Sequence, residues 1–93
     1  MNKAIFDFER IGTMDDFYIV AKRQLNLPEH FGKNLDALWD SLTGDIELPL
    51  AVRFENMSMS QLEIFDKLIQ LFEEASGELG EAFSFEYYLR KAV

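Results

Sequence analysis

Four carboxylates, Asp36, Asp40, Asp45 and Glu47, fall between Asn34 and Val52 in a stretch without a Lys or Arg. Clustered acids can share a proton as a general acid–base pair, ligate a hard cation, or meet a basic partner. The first use needs a cleft whose burial and charge drive two carboxyl pKa values apart. Asp36 and Asp40 stand one helical turn apart on an outward face, where nothing supplies that cleft. The second use fails on spacing, since the run lacks the alternating ligands and central glycine of a calcium loop. His30 is the only histidine and there is no cysteine. A nucleophile–base pair and a thiolate metal site are therefore both without residues, and a lone loop histidine reads first as a surface residue. No cofactor or metal is implied.

The third use fits the placement of the acids. "NLDALWDSLTG" (34–44) reads as a helix, and like charges at i and i+4 cost a helix about 0.2–0.5 kcal/mol. The helix dipole favours Asp36 near the N-terminus. Asp40 and Asp45 lie toward the other end, where a negative charge costs about 0.3–1 kcal/mol. Glu73 and Glu74 repeat the pattern near the end of a later helix. Two readings stay open: acids held for a partner, or a solvated face that keeps a small protein soluble at a cost screened by salt. Trp39 is two-sided as well, with core spacing but a place beside the acids where an interface Trp would sit.

The elements that must position these residues follow from periodicity. "KAIFDF" (3–8) alternates as a half-buried strand. A helix follows, capped by Thr13 with Asp16, striped by Phe17, Ala21 and Leu25, and ended by Pro28. "PEHFGKN" is a loop in which Gly32 is free to take positive φ. Asn34 caps the acidic helix, whose stripe is Leu35, Leu38, Trp39 and Leu42, and Gly44 is placed to end it in the left-handed conformation. "LPLAVRF" (48–54) is apolar nearly throughout, as in a central strand buried on both faces. Ser58 and Gln61 form a capping box for a helix striped by Leu62, Phe65, Ile69 and Phe72 that ends at Gly77. "AFSFEYY" (82–88) is the last strand. Strands separated by helices pair in parallel. The expected fold is α/β: a small sandwich with a three-stranded parallel sheet in order 1-2-3, packed with three to four helices, in a single domain over 1–93.

Composition bounds the function further. The chain has 93 residues, a formal net charge of −8 and nine Phe to fill one core. Such a charge repels a phosphate backbone, which argues against direct nucleic-acid binding and suits a basic protein partner. No apolar run is long enough for a membrane span, and neither a signal peptide nor a disulfide framework is present, which fits a cytoplasmic protein.

The segment "LNLPEHFGKNLDALWDSLTG" (25–44) resembles the barstar family of intracellular ribonuclease inhibitors through the pattern L-P-x-x-[aromatic]-G-x-N-L-D-A-L-W-D-x-L-T-G. The resemblance runs more loosely along nearly the whole chain, with "PL" entering the second strand and "FEEA" (72–75) in the last helix. The segment before "FEEA" is shorter than in the family, so a short extra helix is expected there to be absent or merged with the long one. The resemblance implies a non-enzymatic protein that plugs a ribonuclease active site. Asp40 would stand in for a substrate phosphate and Asp36 would meet basic residues at the rim. Gly32, Asn34 and Leu35 would shape the loop alongside His30 and Phe31, with Trp39 flanking the surface. Thr43 and Gly44 would lie at its far side, and Glu74 would add a peripheral acid.

Two positions depart from the family pattern: His30 and Asp45 stand where a tyrosine and a tryptophan are expected. Both changes remove aromatic contact, and Asp45 adds charge. The resemblance thus implies a basic ribonuclease as partner, such as the nuclease domain of a secreted or contact-dependent toxin met by an immunity protein, with the inhibitor monomeric when free. An acidic regulatory module that uses the same scaffold on a non-nuclease partner is the alternative.

Overall fold

A computed structural model describes residues 2–91. Met1, Ala92 and Val93, which the 1–93 domain expectation includes, lie outside the described residues. The elements run β1 (Asn2–Asp7), α1 (Met14–Gln24), α2 (Leu35–Gly44), β2 (Leu50–Met57), α3 (Met59–Ile64), α4 (Asp66–Leu79) and β3 (Phe83–Leu89), with a 3-10 turn at Gly80–Ala82 before the last strand. The three strands are parallel in order β1-β2-β3, as expected. Ala4 lies opposite Val52 and Val52 opposite Phe85; one pleat on, Phe6, Phe54 and Tyr87 are in register.

One face of this sheet carries the core. Ala4, Phe6, Phe8, Val52, Phe54 and Phe83 are buried there. Phe17 of α1 stacks on Phe6 with ring centroids 4.8 Å apart, and Phe72 of α4 meets Phe54 edge-on at 5.2 Å. Leu38 and Leu42 of α2 join the same core, and α2 packs along α4. The opposite face is open. Ile5 is 41 % exposed, and Arg53, Glu86 and Tyr88 are exposed beside it. The expectation that the second strand is buried on both faces is therefore overturned: Leu50, Val52 and Phe54 point inward while Ala51 and Arg53 point out. Ala51 is small enough to mimic a buried position in sequence, and alternation is hidden for that reason.

The starts of the helices fall where their caps were expected. Thr13 and Asp16 form a capping box on α1, and Ser58 and Gln61 form one on α3. Several ends do not. α1 stops at Gln24, before Pro28, because Asn26 takes φ 53. Its N–H reaches the Arg23 carbonyl at 3.4 Å and that of Leu27 reaches Lys22 at 2.9 Å, a Schellman closure with Asn in place of Gly. Gly44 is the last residue of α2 rather than a left-handed stop, and the Asp45 and Ile46 amides both donate to the Ser41 carbonyl. α4 runs past Gly77 to Leu79, and Gly80 takes the positive φ of 63°. Glu73 and Glu74 consequently sit in mid-helix, where the dipole costs them little. The short helix expected to be absent or merged is present as α3, set off from α4 at Phe65, whose ψ of 21° breaks the helical path.

Gln61 does more than cap. Its amide donates to the Phe8 and Ile11 carbonyls at 2.9 and 2.8 Å, tying α3 to the chain leaving β1. Nearby, the sheet register shifts between Phe54 and Met57, and Asn56 takes φ 61. Asn56 donates to the Asp7 carboxylate at 3.1 Å, and with the Glu9 amide it holds the Asp7 carboxyl below its ordinary value. A lowered folded-state pKa adds stability that is complete above the unfolded value of about 3.9 and is lost as pH falls through the folded one. Urea titrations should show the advantage of wild type over Asp7→Asn shrinking as pH drops from about 5 to about 3.

Candidate functional site

The acidic helix is built from its cap outward. The Asn34 side chain accepts from the Ala37 amide at 2.7 Å, so the first turn is fixed and Leu35 and Asp36 leave it in defined directions. Leu38, Ser41 and Leu42 anchor the buried side. Asp36 and Asp40 are exposed on the outer side. Among the described residues neither makes an ion pair, and neither side chain accepts a hydrogen bond within the protein. Trp39 is turned toward α4 and half-buried. Thr43 donates its hydroxyl to the Trp39 carbonyl at 2.8 Å.

The loop before α2 is held from both ends. The Lys22 ammonium meets the Glu29 carboxylate at 3.1 Å, and the Phe31 amide donates to the Pro28 carbonyl at 3.0 Å. Phe31 rests edge-on against Tyr18, with centroids 6.1 Å apart. Gly32 does not adopt positive φ, contrary to expectation; the positive values fall on Asn26, Asn56 and Gly80. A Cβ on Gly32 would lie 3.4 Å from both the Ala37 Cβ and the Asn34 side-chain Nδ2, which is ordinary van der Waals contact, so neither backbone conformation nor space reserves the position for glycine. His30 is exposed at the loop tip.

Two separate hollows take in some of the expected site residues, while Asp40, Thr43, Gly44 and the loop residues at 30–34 line neither. Leu35, Asp36 and Trp39 of α2 face Lys67, Gln70, Leu71 and Glu74 of α4 across a shallow groove of about 220 Å³. Glu74 is thereby brought beside the acidic helix. Asp45 and Glu47 line a different, larger hollow of about 530 Å³ with Lys3, Gln24 and Asn26, at the other end of α2. At about 1.5 Å per residue, Asn34 and Asp45 are roughly 16 Å apart along the helix. Thr43 and Gly44 lie between the two. Lys67, Gln70 and Leu71 were not singled out in sequence; their spacing with Glu74 at i, i+3, i+4 and i+7 marks one helical face, which is the only signal they carry.

No three His, Asp or Glu side chains converge on a common point among the described residues, and no described helix is long and apolar enough to cross a membrane. The acids form an open ridge over a packed scaffold, with Trp39 and Leu35 at its base. An exposed ridge of this kind is suited to contact with the basic surface of another macromolecule. The chain belongs to the family described as Barstar (barnase inhibitor), which matches residues 1–90. It is also 38% identical over 80 residues to the Bacillus subtilis (strain 168) protein named "Putative ribonuclease inhibitor YrdF", covering 83% of this chain and 85% of that one. Members of this family bind ribonucleases as protein partners, so family and relative point to an inhibitor rather than an enzyme.

Proposed function

We propose that this chain inhibits a basic ribonuclease by laying the loop at 28–34 and the outer face of α2 over the enzyme's active site. The observation that carries the reading is the pair Asp36 and Asp40, both exposed on a capped helix and neither in an ion pair among the described residues. Their mutual repulsion is relieved when a cluster of Lys, Arg or His side chains approaches. Charge-assisted hydrogen bonds then form, and long-range attraction speeds encounter. In this reading Asp40 occupies the place of a substrate phosphate, Asp36 and Glu74 face the rim, and Trp39 and Leu35 supply the apolar floor between them. His30 and Asp45 set which enzyme is accepted, since one lies at the loop tip and the other at the far end of α2. A toxin nuclease met inside the cytoplasm by its immunity protein is the setting that fits best.

The test is inhibition of a panel of purified basic microbial ribonucleases, barnase included, by the purified chain. At least one should be inhibited at 1:1 stoichiometry, with affinity falling steeply as salt rises from about 0.05 to 0.5 M because the attraction is screened. Inhibition of none of them, together with capture of a basic protein that degrades no RNA, would replace this reading by that of an acidic regulatory module.

A further inference from the structure

The groove between α2 and α4 does not end at Leu35. Leu35 and Lys67 also line a second, more apolar hollow of about 340 Å³, walled by Met14 and Tyr18 of α1 and by Ile64 at the end of α3. Ile64 is 60 % exposed, while Met14 and Leu35 are half-buried, so this hollow offers apolar surface to solvent. Its rim holds Glu63 and Asp66. With Asp36 and Glu74 on the adjoining groove, carboxylates frame the strip on both sides, and Lys67 is the base between them.

We infer that the hollow formed by Met14, Tyr18, Leu35 and Ile64 is the apolar half of the docking surface, and that it receives an apolar side chain flanked by Lys or Arg on the target ribonuclease. This rests on the inhibitor reading above. Continuity supports it: Leu35 directly follows the N-cap Asn34 and precedes Asp36, so a partner seated on Asp36 overlies Leu35 as well. Charge supports it too, because the framing acids repel an acidic neighbour and draw a basic one. A second copy of this chain fits poorly, since it would bring the same acids against themselves in a protein of net charge −8. The two halves then divide the work of recognition. The acids steer and set register, and the apolar contact lengthens the life of the complex once water has left.

The probe is whichever ribonuclease of the panel is inhibited. Ile64→Ser should raise Kd about tenfold or more, through faster dissociation, with the salt dependence unchanged. Ile64→Met keeps the apolar volume and should bind like wild type. Ile19→Ser, at an exposed α1 position that lines neither hollow, should change nothing. Wild-type affinity in Ile64→Ser, with binding lost in Asp40→Ala, overturns the apolar half and leaves the inhibitor reading standing. If no ribonuclease is inhibited, both fall. If sedimentation shows self-association that Ile64→Ser abolishes, the hollow belongs to a second copy and the ribonuclease occupant is refuted.

Discussion

Asp40→Ala should raise Kd for the target ribonuclease by roughly thirty-fold to several thousand-fold while its melting temperature stays level or rises. Removing one partner of a desolvated interfacial charge pair costs about 2–5 kcal/mol or more, and close charge pairs of barnase–barstar, this family's own pair, couple by about 1.5–7 kcal/mol. Most of that loss is the enzyme's cation left buried without its counter-charge, so it should appear chiefly in the dissociation rate. The stability side has the opposite sign. Asp40 is exposed, and among the described residues its side chain makes no ion pair or hydrogen bond that its removal would break. Its loss relieves repulsion from Asp36 worth about 0.2–0.5 kcal/mol and replaces a poor helix former by the best one, worth about 0.5 kcal/mol. In a domain of this size about 1 kcal/mol moves the midpoint by roughly 4–8 °C. Asp40→Asn separates charge from shape: it should lose most of the affinity as well, because the amide cannot neutralise a cation. Undiminished inhibition by Asp40→Ala would end the proposal.

Much of the fold that presents Asp40 could be read along the chain, because the relevant signals are local. Thr13 with Asp16, Asn34, and Ser58 with Gln61 each place an acceptor before the first free amides of a helix, and all three caps formed. Alternation in "KAIFDF" puts Ala4 and Phe6 in the core, and parallel pairing follows from the intervening helices. What could not be read depends on contacts distant in sequence. Gly44 and Gly77 have the composition of helix stops, yet α2 closes on the Ser41 carbonyl and α4 continues until the chain must turn into β3. Leu62 and Phe65 share a stripe with Ile69 and Phe72, and that periodicity conceals the break at Phe65. Burial of Phe65 against Phe8 lets α3 and α4 keep one stripe across two axes.

The site divides along the same line. Asp36, Asp40 and the loop residues around His30 are contiguous in sequence, so their grouping needs only the helix that Asn34 starts. The opposite wall of the groove needs the tertiary packing of α2 on α4. Glu74 was reached through family resemblance, whereas Lys67, Gln70 and Leu71 had no local signature beyond their common face. Asp45 shows the reverse limitation. Closeness in sequence grouped it with Asp36 and Asp40, but a ten-residue helix carries it to a separate hollow beside Lys3 and Glu47.

Phe54→Ala should remove inhibition by a different route, and the contrast separates recognition from folding. Phe54 is fully buried at the centre of the sheet and meets Phe6, Phe8, Phe17, Phe72 and Phe85, so both flanking helices share its contacts. Truncating a buried Phe costs about 3–5 kcal/mol through lost transfer energy and the cavity left behind. A domain of this length has only about 5–14 kcal/mol in all, so the variant should melt at least 12 °C lower, about 4–8 °C for each kcal/mol. The α2 acids lie on the exposed side of that helix, away from this core, and are unchanged. The folded fraction of Phe54→Ala should therefore bind the ribonuclease as wild type does. Enzyme held at about a thousand times Kd draws the equilibrium toward the folded form by about 4 kcal/mol. Inhibition by Phe54→Ala should accordingly return at low temperature, its binding should return at high enzyme concentration, and thermal melts of the complex should show the midpoint recovering. Asp40→Ala should recover under neither condition, because it is already folded and lacks the charge. If Phe54→Ala stays inactive when circular dichroism shows it folded, the core shapes the α2 surface directly and the separation of scaffold from ridge is wrong.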